Sequence, residues 1–422
     1  MCRRARCARQ HRRAQLSPAA YEALEPTIYE QLTPFLGGIT QSQVDKAISW
    51  FTDPGPPPKY ADLKYNMTAA TTLRADDPLY PYSNPYILKV VVKDGVFYLP
   101  GGRIAPIREG FAFTSQWSSG FLLLDLLNAS DKYGPFPDME FFVTSGDFQR
   151  LYHLSDDGTT FPLFSATGSK HFYDLVLPES PTTQYIRETP VSYKWSDRTD
   201  KVVGRFNLMC HRGGPSRPGR GQTEKHPCVR IKYHEIGQSK LNHDGILDVG
   251  IYENAPDGKN KAWLHPEDNA RAKFALVLDG GTTADRLASV LRGGQLVMLE
   301  DDSPLFSHYY AALKPWKHYV PVGRESYDDI FDIARFLVKN DKLARRIAEE
   351  GQQFGHKYLT KEASECYTKK FLEVLSSLFT YKPRPLGPLA ISLRDAIELV
   401  EADRIWMEQH PEPVQDEDPD ES

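Results

Sequence analysis

The stretch that decides the fold runs from Lys273 to Leu299 and reads KFALVLDGGTTADRLASVLRGGQLVML. Its apolar run 274–278 predicts a buried strand, and residues 295–299, which are apolar after Gln295, predict a second one. The residues between them are long enough to hold a helix that crosses over one face of a sheet. The stretch therefore predicts a strand–helix–strand unit, in which the two strands are parallel and the crossover is right-handed.

The helix of this unit is predicted over residues 284–292. Leu287, Val290 and Leu291 recur at helical spacing and give it one apolar face. Thr282 or Thr283 is expected to cap its start, where Asp285 suits the positive end of the helix dipole. Gly293-Gly294 is expected to end it, because glycine readily adopts the left-handed conformation of a helix terminus.

The rest of the chain also alternates between strand-like and helical patterns. Residues 86–92 and 96–99 flank an Asp-Gly turn and predict a β-hairpin. Further short strands are predicted at 139–144, 162–165, 174–177 and 319–322, and helices at 41–50, 117–127 and 341–358, with a Ser326/Asp329 capping box before another helix. This alternation is typical of an α/β protein.

Composition narrows the class of protein. The chain has 422 residues, of which 40% are hydrophobic and 25% charged, and two domains are the default at this length. Its 51 Lys and Arg nearly balance 56 Asp and Glu, for a net charge of −5, so we expect no nucleic-acid partner. No apolar run is long enough to span a membrane. Five cysteines are too few for a disulfide-rich scaffold.

Both ends of the chain are strongly charged. The N-terminus, MCRRARCARQHRRAQ, is basic but has no apolar run behind it, so it is interpreted as a solvated tail and not as a signal peptide. The C-terminus, PEPVQDEDPDES, is acidic and predicted to be disordered. Two N-glycosylation sequons, at Asn66 and Asn128, are weak indications of a secretory route.

Ligands of open α/β sheets bind beyond the carboxyl ends of the strands, and two places fit this rule. One is Thr144-Ser-Gly-Asp147, after a predicted strand. The other is the turn Asp279-Gly280-Gly281-Thr282-Thr283 with Arg286, where glycines expose main-chain N–H groups and the guanidinium can reach an anion. This turn predicts a phosphate site. A simple tight turn with a surface arginine is the alternative.

Other polar groups have weaker signals. Lys201 and Arg205 could form a basic edge facing phosphate, or could be solvated strand residues. Glu300-Asp301-Asp302 lacks the spacing of a metal motif and is interpreted as a solvated loop. Cys210, His211, His226 and Cys228 lack paired C-x-x-C spacing, so a loop disulfide or free thiols are favoured over zinc.

Several ordered blocks resemble the protein O-glucosyltransferase and fungal capsule-xylosyltransferase family. The most specific block is LKPWKHYVPV, residues 313–322, which is similar to the family's L-x-P-W-x-H-Y-x-P-V. Lys273 to Gly280 followed by Arg286-Leu287 resembles a second family block. Further similarities lie at Asn340-Asp341 with the later Gly351-Gln-Gln-Phe354, and upstream in PDMEFFV (137–143) before Asp147 and in PLFS (162–165).

The resemblance implies a GT-B-like α/β fold, with two Rossmann-like domains and the active site in the cleft between them. It divides the chain into a basic tail and arm (1–85), an acceptor domain (86–200), a donor domain (201–380) and a C-terminal helix with an acidic tail (381–422). The implied reaction is metal-independent, inverting transfer of glucose or xylose from a UDP-sugar to a hydroxyl of a protein or polysaccharide. The family setting implies the secretory lumen.

Site roles follow from the matching positions. Asp147 matches the general base, and Arg286 and Arg205 match arginines that bind the donor diphosphate; Gly280, Gly281, Thr282 and Thr283 are predicted to complete the donor site. No metal or cofactor is expected besides the UDP-sugar substrate. Elementary chemistry agrees, because the charge that develops on UDP without Mg²⁺ must be stabilised by arginines and main-chain N–H groups.

Three positions differ from the family pattern: Gly204 precedes Arg205, Ala284 stands where serine is common, and Gln149 stands where proline is common. These differences motivate a second hypothesis, a catalytically silent homologue that binds a nucleotide or glycan. A third hypothesis is a Rossmann-type nucleotide enzyme of other chemistry. The sugar is not readable from the sequence, because glucose and xylose differ by one hydroxymethyl group, worth only ~1–3 kcal/mol in a pocket.

Overall fold

The structure is a computed structural model that describes residues 16–52, 87–100, 119–144, 160–165, 167–170, 173–178, 190–208, 229–280, 283–301, 303–324, 326–388 and 390–409. Its α-helices are α1 (Pro18–Tyr21), α2 (Glu25–Leu32), α3 (Gln41–Thr52), α4 (Ser119–Tyr133), α5 (Val229–Gly237), α6 (Pro266–Ala270), α7 (Leu287–Gly293), α8 (Asp329–Lys339), α9 (Asp341–Tyr358), α10 (Lys361–Ser377) and α11 (Leu393–Gln409). Its strands are β1 (Ile87–Lys93), β2 (Val96–Leu99), β3 (Met139–Thr144), β4 (Leu163–Phe164), β5 (Gly168–Ser169), β6 (Thr199–Phe206), β7 (Leu247–Ile251), β8 (Ala272–Val277), β9 (Leu296–Glu300), β10 (Leu305–Phe306), β11 (Val320–Val322) and β12 (Ile391–Ser392).

A parallel sheet contains the predicted strand–helix–strand unit. Its strand order is β11-β9-β8-β6-β7, and every neighbouring pair is parallel. β8 and β9 pair with Phe274 opposite Leu296, which confirms the predicted pair. Both strands are apolar on both faces because helices and the other sheet cover them. Read from the β7 edge, the sheet contains the second, first, third, fourth and fifth of its strands along the chain. The strand order therefore reverses between β6 and β8, and this is the topological switch point.

The helix of this unit begins later than predicted. α7 starts at Leu287 with Arg286 as its N-cap, so Thr283 does not cap it, and Thr282 lies outside the described residues. The Thr283 Oγ1 lies 3.1 Å from that of Thr167, and the N–H of Ala284 donates to the carboxylate of Asp279 over 2.8 Å. The buried carboxylate of Asp279 thus holds the loop before the helix, whereas the N-cap Arg286 makes no side-chain capping hydrogen bond. The predicted end is confirmed, since Gly294 adopts a φ of +74° directly after the helix.

The second sheet has the order β12-β2-β1-β3-β4 and is antiparallel except for the pair β3–β4. The predicted hairpin is confirmed, with Asp94 and Gly95 at φ values of +50° and +77° in its turn. The strand predicted at 174–177 is wrong, because Leu175 makes only an isolated bridge to Phe164. The described strands of this sheet therefore differ from the parallel sheet that a Rossmann-like domain would have.

Helices α1 and α2 are part of the core. Leu24, Ile28 and Leu32 are fully buried, and they belong to one hydrophobic cluster with the second sheet, α10 and one face of the parallel sheet. A separate cluster covers the other face with residues of α5, α8 and α9. The helix predicted at 41–50 is confirmed as α3, and the buried residues of this segment belong to the core, although the sequence suggested an arm outside it.

The start of α8 differs in detail from the predicted capping box. The helix begins at Asp329. In a capping box, the Asp329 carboxylate would accept from the N–H of Ser326, whereas here it accepts from the N–H groups of Gly323 and Arg324. Ser326 Oγ accepts from the N–H of Asp328. Within the described part of the chain, no helix combines the length and the apolar character that crossing a membrane requires.

Candidate functional site

The carboxyl ends of β6 and β8, called here the switch-point edge, bring together groups from distant parts of the sequence. β6 ends at Phe206, β8 leads into Asp279-Gly280, and the start of α5 and the residues before α7 approach the same edge. Helices that follow neighbouring parallel strands start at one edge of a sheet, which is why these segments meet. This is where sequence reasoning placed the phosphate site.

Arg286 reaches across this edge from the end of the β8–α7 loop. Its Nη1 donates to the carbonyl oxygen of Arg205 over 2.5 Å, and its Nη2 lies 3.5 Å from the carbonyl oxygen of Leu276. The guanidinium carbon lies 5.2 Å from the ring centre of Phe206, in range of a cation–π contact. The main chain of two strands and one aromatic ring therefore fix this predicted site residue at the switch-point edge.

Arg230 is a second cation at this edge, and sequence reasoning missed it. Its Nε donates to the carbonyl oxygen of Asp279 over 3.1 Å, and its Nη2 donates to that of Leu278 over 3.2 Å. Its Nη1 donates to both oxygens of Asn207, directly after β6. Burial lowers the pKa of Arg230, while nearby acidic groups oppose the effect, and the group stays protonated. The two guanidinium groups, Arg230 and Arg286, are called the arginine pair below.

The hydrogen bonds given above fix the orientation of both guanidinium groups of the arginine pair. The carbonyl oxygens that they contact carry no net charge, so these bonds do not neutralise a guanidinium. Among the described residues, Arg230 makes four hydrogen bonds with its five N–H donors. An anion at this edge would meet two oriented cations.

Gly280 is required for the position of Arg230. A Cβ atom added to Gly280 would lie 2.4 Å from Nη2 of Arg230 and 2.6 Å from its Cζ, far inside van der Waals contact. The glycine thus lets the guanidinium pack against the main chain at the end of β8. The sequence indicated glycines here for their exposed N–H groups, whereas the structure shows that Gly280 makes room for a cation.

Asp279 lies directly beneath the loop and is only 1% exposed. Its Oδ1 accepts from the Ala284 N–H and, over 3.1 Å, from the Tyr310 hydroxyl, and its Oδ2 accepts from Ser303 Oγ over 2.6 Å. Burial raises the pKa of Asp279, and these hydrogen bonds and the charge of Arg230 oppose that rise. Only the main chain of Ala284 is used, so alanine in place of the family's common serine costs no hydrogen bond of this set.

Arg205, a predicted donor-site residue, has its guanidinium elsewhere. Its Nη2 lies 3.0 Å from both carboxylate oxygens of Asp248, and its Nε and Nη1 donate to the carbonyl oxygens of Ala262 and Asp248. Asp248 pairs with Val203, two residues nearer the amino end of the sheet, so the side chain leans away from the switch-point edge. Its carbonyl oxygen, not its guanidinium, belongs to the site. A contact of its guanidinium with a diphosphate stays a prediction that this geometry does not support.

Some of the remaining predicted site residues lie within the described part of the chain, and the others lie outside it. Thr283 lies behind the loop, bonded to Thr167, and Lys201 is exposed on β6. Asp147, Gly281 and Thr282 lie outside the described residues, as do Cys210, His211, His226, Cys228 and Asp302. Asp301 accepts from Arg324 Nε over 2.7 Å. Across the described ranges, no cluster of three or more His, Cys, Asp or Glu could hold a metal ion.

An aromatic pair lies beside the arginine pair. Tyr252 follows β7 directly, its N–H donates to the carbonyl oxygen of Phe206, and its ring meets that of Trp263 edge-to-face at 4.8 Å. Burial raises the pKa of Tyr252, and the charges of Arg230 and Arg286 oppose that rise, so the ring lies within electrostatic range of both. Trp263 is 57% exposed, which leaves a flat apolar face next to the cationic edge.

The second sheet reaches the same place through the chain that follows β4. Phe164 ends β4, and three residues later Thr167 contacts Thr283 through both the hydroxyl and the main-chain N–H of the latter. β5 then pairs with β10, and the ring of Phe306 packs on Gly168. Because β3 and β4 are parallel, the end of β3 at Thr144 lies at the edge of its sheet from which this contact is made.

Comparison with known proteins identifies the family of this chain. The family model described as glycosyl transferase family 90 matches residues 107–387, more than half of the chain. Human protein O-glucosyltransferase 3 is 30% identical over 285 residues, which cover 63% of this chain and 50% of that protein. Zebrafish (Danio rerio) protein O-glucosyltransferase 2 is 29% identical over 272 residues, covering 63% and 51%.

Human protein O-glucosyltransferase 1 is 24% identical over 378 residues, which cover 84% of this chain and 80% of that protein. The chain spans about half the length of the first two relatives. The matched region contains both members of the arginine pair, Asp279 and the switch-point edge. The chain belongs to glycosyl transferase family 90.

Proposed function

We propose that this protein transfers a sugar, glucose or xylose, from a UDP-sugar to a hydroxyl group of a protein acceptor. The observation that carries the proposal is the arginine pair at the switch-point edge, where open α/β sheets bind their ligands. Two charged guanidinium groups suit a diphosphate, which gains negative charge when the sugar–oxygen bond breaks. The names of the relatives, protein O-glucosyltransferases, support the choice of sugar transfer to protein.

The nucleotide would extend from the arginine pair towards Tyr252 and Trp263. The exposed indole of Trp263 offers a surface on which a pyrimidine ring could stack. The diphosphate would then lie between this ring pair and the end of β8. This arrangement accounts for a uridine diphosphate as leaving group and needs no divalent metal, because the arginine pair supplies the positive charge.

The acceptor hydroxyl is a weak nucleophile and needs a base. We propose that the carboxylate of Asp147 takes its proton while the oxygen attacks the anomeric carbon from the face opposite UDP, so that the configuration inverts. The new carbon–oxygen bond forms as the bond to the diphosphate breaks, and UDP leaves as an anion. Support comes from position: Asp147 lies three residues beyond β3, whose end shares an edge with the segment that contacts Thr283.

We propose a GT-B-like arrangement, in which two α/β lobes face each other over a cleft. In that arrangement Asp147 belongs to the lobe of β1–β4, and the arginine pair belongs to the lobe of the parallel sheet. We further propose that the reaction takes place in the secretory lumen, as the resemblance implies. Protease protection of the chain in intact microsomes tests that location, and digestion without detergent would contradict it.

The decisive experiment is UDP release with purified protein, a mixture of candidate protein acceptors and chelator. UDP-glucose, UDP-xylose, UDP-galactose and GDP-mannose are compared as donors. Acceptor-dependent release from UDP-glucose or UDP-xylose is expected, with losses of about 100-fold or more in Asp147→Asn, Arg230→Ala and Arg286→Ala. Arg345→Ala, which removes an exposed arginine paired with Glu349 on α9, is the matched control.

Two outcomes would change the conclusion. Full turnover in Asp147→Asn would remove that residue as the base. UDP binding without transfer to any acceptor would favour the silent, nucleotide-binding homologue that the altered flanks of Asp147 and Arg286 suggested.

A further inference from the structure

Asp279 contacts Arg230 and also the loop that carries Arg286. Its side chain is buried and accepts hydrogen bonds from three separate segments: the loop before α7 through Ala284, the loop after β9 through Ser303, and the 3₁₀ turn Tyr310–Ala312 through Tyr310. A carboxylate bonded in this way joins three pieces of backbone that share no strand pairing with one another.

The main chain of the same residue holds Arg230. Its carbonyl oxygen accepts from Nε of Arg230 over 3.1 Å, and the preceding carbonyl oxygen, of Leu278, accepts from Nη2. The side chain meanwhile fixes the N–H of Ala284, two residues before Arg286. Asp279 therefore holds the guanidinium of Arg230 directly, and it also holds the backbone that carries Arg286.

We propose that Asp279 is a positioning residue that sets the separation of Arg230 and Arg286, and through it the affinity for the diphosphate of the donor. The inference rests on the proposed function, because it assigns the arginine pair to that diphosphate. Asp279 does not act on the substrate itself. It is 1% exposed, and hydrogen bonds within the protein occupy both of its carboxylate oxygens.

A graded set of substitutions tests this role. Asp279→Asn keeps the shape of the side chain but removes its negative charge, and Ser303 Oγ must then accept a hydrogen bond from the amide instead of donating one. Tyr310→Phe and Ser303→Ala each delete one hydrogen bond to the carboxylate from a different segment. Tyr309→Phe is the matched control, because the neighbouring Tyr309 hydroxyl is buried and finds no hydrogen-bond partner among the described residues.

The measurement is calorimetric titration of each folded variant with UDP and with UMP. We expect Asp279→Asn to bind UDP at least about tenfold more weakly, Tyr310→Phe and Ser303→Ala to lose about two- to tenfold, and Tyr309→Phe to match wild type. Affinity for UMP should change less than affinity for UDP. This selective loss separates positioning of the diphosphate contacts from general destabilisation, which would weaken both ligands alike.

Each outcome has a separate meaning. Wild-type protein that does not bind UDP would contradict the proposed function itself. Wild type that binds UDP, together with folded Asp279→Asn that binds it equally well, would overturn only the positioning role. If Asp279→Asn does not fold, the comparison of Tyr310→Phe with Tyr309→Phe decides: equal UDP affinity in the two would overturn the inference.

Discussion

Replacing Gly280 by alanine should displace Arg230 without disturbing the backbone. The added Cβ would lie 2.4 Å from Nη2, 2.6 Å from Cζ and 2.9 Å from Nη1 of that arginine. Ordinary contact begins at 3.4 Å, so the guanidinium must retreat by about 1 Å. Gly280 is not among the glycines with positive φ, and alanine therefore adds no backbone strain there.

The retreat breaks the hydrogen bonds that orient the cation. The bonds from Nε to Asp279 and from Nη2 to Leu278 measure 3.1 and 3.2 Å, and an extra ångström takes both beyond hydrogen-bond range. One charge-assisted contact to the ligand is then lost or misdirected, at a cost of about 1.5–3 kcal/mol. This corresponds to roughly a 10- to 100-fold loss of UDP affinity.

Calorimetric titration with UDP measures the loss, and a thermal melt checks the fold. Gly387→Ala is the matched control, because a Cβ there meets nothing within 4 Å. A double-mutant cycle makes the test specific: in an Arg230→Ala background, Gly280→Ala should have almost no further effect on UDP affinity. Gly280→Ala with wild-type affinity, or a full additional loss in that background, would refute the reasoning.

Three further predictions concern neighbouring groups. Arg205→Ala should lower the free energy of unfolding by about 2 kcal/mol, through loss of the Asp248 contacts, and leave UDP affinity within about threefold; a large affinity loss at unchanged stability would restore Arg205 as a donor contact. Trp263→Ala should weaken UDP binding about tenfold but leave pyrophosphate binding unchanged, and equal losses for both ligands would contradict base stacking. Burial lowers the pKa of His308 to about 3, so below pH 6.5 the unfolded chain binds a proton that the folded chain does not. Denaturant melts should therefore show the free energy of unfolding falling from pH 6.5 towards pH 3. His308→Phe should flatten that fall, and an unchanged slope in this variant would contradict the prediction.

The strand–helix–strand unit was predictable because its signals are local. Two apolar runs, a helical repeat of leucines and valine, and a glycine pair suffice to define β8, α7 and β9. The hydrogen bond that holds the loop before α7 was not predictable in the same way. Asp279 accepts the Ala284 N–H because the loop folds back over a buried carboxylate, and that fold depends on Ser303 and Tyr310, which are remote in sequence.

Of the arginine pair, Arg286 was predicted from the sequence and Arg230 was not. Arg286 follows the glycine turn directly, so local reasoning found it. Arg230 lies about fifty residues earlier, and it reaches the same edge only because β6 and β8 are neighbours while β7 lies outside them. Strand order is a tertiary property, and no local pattern at Arg230 indicates it. Arg205 was assigned to the ligand for its charge, but the pairing of β6 with β7 brings it to Asp248.

The hairpin of the second sheet was predicted, but the pairing of its other strands was not. Alternating β-formers around Asp94-Gly95 define β1 and β2, whereas the order in which β3, β4 and β12 add to them has no signal in sequence. Burial of Leu24, Ile28 and Leu32 was also unforeseen, since the periodicity of a helix as short as α2 is easily hidden by flanking prolines.

The central claim is that Arg230 and Arg286 together bind the diphosphate of a uridine nucleotide. The most direct test is calorimetric titration of wild type and of the Arg230→Gln/Arg286→Gln double variant with UDP and with uridine. We predict that wild type binds UDP at least about 100-fold more tightly than uridine, and that this preference almost disappears in the folded double variant. A double variant that still prefers UDP as strongly as wild type would contradict the account.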